Sequence, residues 1–148
     1  MDKSKRLAPI VHLESVKEQQ AAKGLATAKQ RLQQDSKKLE DLLAYAGEYQ
    51  GMVEQEGRGG IQAQRLHAYH QFVNRLMVAV EEQKEQVNLS QGAVEHAEQD
   101  WFRQRGAHQN MSKLVSRYAQ GERQAEDRRE QVAQDEMVQL RRPMFADS

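Results

Sequence analysis

Few side chains in this sequence are placed to do chemistry, and most of those stand alone. His67 and His70 lie three residues apart, which would put two imidazoles on one face of a helix as the start of a metal site. A zinc site needs three or four ligands. The chain has no cysteine and no positioned carboxylate to complete the set, so the pair reads as surface histidines. His12, His96 and His108 are isolated in sequence. Carboxylates occur side by side as Glu81-Glu82, Glu126-Asp127 and Asp135-Glu136. Adjacent residues on a helix point about 100° apart and do not face each other, so these are solvated faces and not acid–base pairs. Gly57-Arg58-Gly59-Gly60 lacks the Lys-Ser or Lys-Thr ending of a phosphate loop and reads as a turn. No catalytic, cofactor-binding or metal-binding residue is expected, and no cofactor; the chain does not read as an enzyme.

The elements that carry these residues are read from two apolar stripes. One runs Leu25, Ala28, Leu32, Asp35, Leu39, Leu42, Ala46, Tyr49 and Val53; the other runs Leu66, Tyr69, Val73, Leu76, Val80, Gln83, Val87, Ser90, Val94, Ala97 and Trp101. Both step by alternating three and four residues, the 3.5-residue repeat of a coiled coil. Composition agrees: aromatics are 5%, charged residues 30%, and mean hydropathy is −0.94, too polar for a large globular core. The 22 basic and 22 acidic side chains are interspersed, without the basic stripe that nucleic-acid binding requires. The apolar run Leu7–Leu13 is too short and too polar for a signal peptide, and no stretch approaches a membrane span.

Facing positions in an antiparallel hairpin have a constant sum. Tyr49 with Tyr69, Leu42 with Leu76, and Asp35 with Gln83 all give about 118, which sets the turn near Gly59-Gly60 and makes a polar layer of Asp35 and Gln83. The fold expected is all-α, an antiparallel two-helix coiled-coil hairpin with a longer second helix overhanging at its C-terminal end. It forms one coiled-coil domain over 1–148, with helix one at about 8–54, the turn at about 55–61 and helix two at about 62–142. Pro9 should lie in the first turn of helix one, and Pro143 should stop helix two. Position 11 then pairs near position 108. Helix two is left without a partner from about Met111, an overhang on the order of 45 Å. Its seam nevertheless continues through Val115, Tyr118, Ala125 and Val132.

Near the turn there is more apolar surface than a narrow seam consumes. Tyr45 forms a stripe with Leu42 and Tyr49, and Phe72 forms one with Leu76 and Ala79. Surplus aromatic surface of this kind marks an interaction patch. The bland alternative is that Tyr45 and Phe72 wrap sideways over the seam.

The stretch Tyr45-Ala46-Gly47-Glu48-Tyr49, with Gly60-Ile61, Arg65, Tyr69, Gln71-Phe72, Leu76, Ala79, Val80 and Trp101, resembles the flagellar type III export protein FliJ family; Asp135-Glu136 also fits. The likeness covers nearly the whole chain, and its aromatic positions are not forced by a heptad repeat. It implies a soluble, cytoplasmic coiled coil similar to the stalk of rotary ATPases, peripherally associated with the inner membrane at the flagellar export apparatus. The implied partners are the hexameric flagellar export ATPase, the cytoplasmic domain of the flagellar export gate, and export chaperones, with no nucleic acid and no small-molecule substrate. The gate-binding surface implied is Leu42, Tyr45, Tyr49, Phe72, Leu76 and Ala79, the same cluster found above; Lys38 and Gln83 at its edge depart from the family pattern. The ATPase-ring contact would use the start of helix one, with Leu13, and the charges Arg128, Arg129, Asp135 and Glu136 on the overhang. The rival reading is a coiled-coil adaptor or spacer of another stalk-like assembly. A seam of this kind can also be satisfied between two chains.

Overall fold

The structure is a computed structural model that describes residues 2–146, with side chains from 2 to 141. It contains two helices, α1 (Lys3–Arg58) and α2 (Ala63–Ala146), and no strand among the described residues. They pack antiparallel as an all-α hairpin. Residues 59–62 form the turn, where Gly60 carries a φ of 85° that a side chain would strain. The amides of Gly59 and Gly60 bond back to the carbonyls of Glu56 and Gly57, closing the last turn of α1.

The helices depart from the expected limits at three of their ends. α1 starts at Lys3, about one turn before position 8, and Pro9 lies inside it. The preference of proline for the first helical position is local. It is overridden here because Asp2 accepts from the Arg6 amide at 3.1 Å and because α2 caps the first turn. α1 also continues to Arg58, past the expected end at 54. α2 runs through position 143 to Ala146, since the fixed φ of proline is itself helical.

The chain divides into two compact units: Gln20–Phe102, and Met1–Gln19 with Arg103–Ser148. In the first unit every buried residue comes from the two stripes: Ala46, Val53, Val73, Leu76, Val80 and Val94, together with polar Asp35, Gln83 and Ser90. Val80 is completely buried. The expected polar layer is present, with one partner more than the pairing rule supplied. The Gln83 side chain donates to the backbone carbonyl of Asp35 at 2.9 Å, while Ser90 Oγ donates to the Asp35 carboxylate. Arg31 Nε reaches the same carboxylate at 3.3 Å. The Ser90 bond, opposed by burial and assisted by Gln86 and Arg31, holds the Asp35 carboxyl below its ordinary pKa. A carbonyl points toward the C-terminus of its helix and a side chain toward the N-terminus. Asp35 therefore engages Gln83 at its own level and Ser90 about two helical turns toward the start of α1.

In the second unit α1 presents half-buried Ser4, Leu7, Val11, Glu14 and Glu18. Glu18 meets His108 at 2.5 Å. His108 therefore has a partner after all, ninety residues away in sequence. Ala8 and Val11 line a small apolar notch with Ser112, Val115 and Ser116. At the start of α1 the Glu122 carboxylate accepts from the Ser4 amide at 3.1 Å and from Ser4 Oγ at 2.5 Å, while Lys3 sits over the Tyr118 ring. A carboxylate on α2 thus satisfies one of the amide groups that the first turn of any helix leaves unpaired, and it does so at the positive end of the helix dipole. Because α1 begins earlier than expected, α2 is covered as far as Glu122. Residues 123–141 are exposed, so the uncovered segment starts at Arg123 and not at Met111. To Arg141 it is about 28 Å long.

Two measurements check this packing. Val80→Ala should lower the unfolding free energy by about 2 kcal/mol in urea melts followed by circular dichroism, whereas Val78→Ala, on the exposed face, should stay within about 0.5 kcal/mol. The Ser4 bonds hold the Glu122 carboxyl below its ordinary value of 4.5. A depressed pKa gives stability that is present above that ordinary value and is lost as pH falls through the lower, folded value. Hydrogen-exchange protection in the first turns of α1 should therefore decline on acidification below about pH 4.5. In Glu122→Gln the protection should be weaker at neutral pH and lack that step.

Candidate interaction site beside the turn

All of the turn-proximal patch lies within the Gln20–Phe102 unit. α1 presents Leu42, Tyr45 and Tyr49 at spacings of three and four, which stack side chains on one flank. α2 presents Tyr69, Phe72, Leu76 and Ala79 in the same way. Four rings meet where these flanks converge. Tyr49 lies on Phe72 with centroids 4.5 Å apart, and Tyr69 and Tyr45 each approach Tyr49 at 5.8 Å. Tyr45 meets the Phe72 ring edge-on at 6.2 Å. Geometries of this kind contribute about 0.5–1.5 kcal/mol per pair beyond burial.

The cluster lies over the seam without being enclosed by it. Tyr45 and Phe72 do lean together over the seam, yet Tyr45 keeps 46% of its surface exposed. Leu42, Tyr49, Phe72 and Ala79 are half-buried, and Leu76 is 9% exposed and belongs to the core. Gln83 also faces inward through its bond to Asp35, so it belongs to the seam and not to the rim. Lys38 lines a shallow groove with Asp35, Leu42 and Ala79.

The other expected contact residues do not form a cluster. Leu13 is 50% exposed on α1. Arg128, Arg129, Asp135 and Glu136 are exposed on the uncovered part of α2, where Arg129 pairs with Glu126 at 3.6 Å. α1 begins level with Glu122, so these four lie beyond its reach. His67 and His70 are exposed, and no group of three or more metal-ligating side chains occurs among the described residues. Sequence reasoning overlooked Met52, which is 48% exposed one heptad beyond Tyr45. It lies off both stripes, and only its spacing from Tyr45 could have revealed it.

These features define a coiled-coil hairpin with exposed apolar side chains on its flanks. No helix among the described residues is long and apolar enough to cross a membrane. The family model described as Flagellar FliJ protein matches residues 3–142, and the chain belongs to that family. A relative, the Flagellar FliJ protein of Escherichia coli (strain K12), is 27% identical over 140 residues, covering 93% of this chain and 95% of that one. No solved structure matches the chain significantly. The family is a non-catalytic component of flagellar protein export, and this chain is therefore a component of that apparatus.

Phe72→Ala removes the ring that touches both Tyr45 and Tyr49. It should cost about 1–3 kcal/mol in stability and reduce the near-ultraviolet dichroism of the tyrosines, leaving helix content unchanged.

Proposed function

We propose that this chain links the hexameric flagellar export ATPase to the cytoplasmic domain of the export gate. It acts as a non-enzymatic, stalk-like coiled coil in the cytoplasm, held peripherally at the inner membrane by the export apparatus. The aromatic cluster of Tyr45, Tyr49 and Phe72, supported by Leu42, Leu76 and Ala79, binds the gate. The observation that carries this reading is a four-ring cluster that remains partly open to solvent on a hairpin whose seam is already filled.

The ATPase ring receives the start of α1, with Leu13, and the uncovered segment of α2. Exposed Val132, Met137, Val138 and Leu140 support that assignment. An isolated helix with such side chains is marginal in water and gains order when a partner covers it. Arg128, Arg129, Asp135 and Glu136 meet the lining of the ring. The chain also escorts or recycles export chaperones. Neither nucleic acid nor a small molecule takes part.

Binding of the gate domain to Tyr45→Ala/Phe72→Ala should weaken by at least about a hundredfold, as expected for two aromatic anchors. Unchanged affinity with intact helix content would remove the patch from this role. A chain ending at Glu122 should keep gate binding and lose stimulation of the ATPase. Full stimulation by the shortened chain would show that the ring contact lies elsewhere.

A further inference from the structure

Around the aromatic cluster the two helices carry opposite charge. Between Leu42 and Gly57, α1 has Glu48, Glu54 and Glu56 and no lysine or arginine. Between Ala63 and Val80, α2 has Arg65 and Arg75 and no acidic residue. Glu48, Glu54, Arg65 and Arg75 are exposed, and Glu56 is half-buried with Oε2 lacking a hydrogen-bond partner. None of the five takes part in an ion pair among the described residues.

Some of the other charges on these helices are neutralised locally. Lys17 pairs with Glu14, Arg31 with Asp35, Lys37 with Asp41, Lys84 with Glu81 and Arg129 with Glu126, always three or four residues apart. Glu48, Arg65 and Arg75 have no opposite charge three or four residues away, Glu54 does not pair with Arg58 four residues on, and the opposite charges on the two helices do not reach each other. Glu48 and Glu56 share the flank of Tyr45 and Met52, whereas Glu54, nine residues from Tyr45, lies on the opposite side of α1, so the patch is flanked by Glu48 and Glu56 on α1 and by Arg65 and Arg75 on α2.

The surface between those edges is also narrower than the aromatic cluster as a whole. Leu76 is 9% exposed and Ala79 offers only a methyl group, so neither supplies much contact area. Met52 lies seven residues after Tyr45, about 10 Å along the same flank of α1 and nearer the turn. It is 48% exposed, and its flexible thioether adapts to irregular apolar surfaces.

We infer that Tyr45, Met52 and Phe72 enter an apolar groove on the partner, and that the flanking charges fix which way round the hairpin docks. The partner groove then has a cationic rim against α1 and an anionic rim against α2. This inference rests on the gate-binding reading above and adds the polarity of the surface and a contact residue to it. Charges at an interface rim govern encounter rate and orientation more than the lifetime of the complex. An apolar anchor acts mainly on dissociation.

The test is association and dissociation kinetics of the full chain with the gate's cytoplasmic domain across a salt series. Glu48→Gln/Glu56→Gln and Arg65→Gln/Arg75→Gln should each lower the association rate about tenfold at low salt, flatten its salt dependence, and leave dissociation nearly unchanged. Met52→Ala should speed dissociation about fivefold or more with association intact. Wild-type association by both neutralised pairs at every salt concentration, while Tyr45→Ala/Phe72→Ala loses binding, overturns the charged rims and leaves the aromatic patch standing. If Tyr45→Ala/Phe72→Ala binds as the wild type does, or the wild type does not bind at all, the gate reading fails and the rims fail with it.

Discussion

Each helix of this protein has one narrow apolar stripe, and covering that stripe is what keeps the two helices together. The repeat of 3.5 residues permits contact along a line and nowhere else. The core is consequently a single file of small and medium side chains, with Val80 its most enclosed member. Among the described residues a line of contact encloses little volume. It leaves flanks and uncovered stretches, and the identifiable features of the chain are all of those two kinds.

A uniform stripe would fit its partner in several registers, because every step of three or four residues brings apolar positions opposite each other again. The polar contacts break that degeneracy. Asp35 is held by Gln83 at its carbonyl and by Ser90 at its carboxylate, and a shift of either helix would strand a buried carboxylate. The aromatic cluster depends on the same alignment, since Tyr49 must arrive between Tyr69 and Phe72. A buried polar group that adds little net stability can in this way decide which surface residues stand side by side.

Much of this was legible in the sequence, and the reasons are physical. Periodicity identified the stripes because apolar spacing is dictated by helix geometry, and every buried residue among those described falls on them. Tyr45 and Phe72 stood out because a seam has no use for them. The start of α1 was misplaced because Pro9 sends a strong local signal, while the cap from Glu122 is a contact between residues 118 positions apart. The extent of the uncovered segment followed that error. His108 looked solitary for the same reason, its partner Glu18 lying on the other helix. The charged edges of the patch were visible as composition, but that they do not pair across the two helices is disclosed only by the packed hairpin.

The bonds Ser4–Glu122 and Glu18–His108 have a consequence for how this chain can change in length. They are separated by fourteen residues on α1 and by fourteen on α2, two heptads on each side. An insertion or deletion in one of these intervals moves one bond out of step with the other, even when a whole heptad is added and the apolar stripe is preserved. Only an equal change in both intervals keeps the two bonds. The helices of this unit are thus measured against each other, and segments far apart in the gene are tied to a common length.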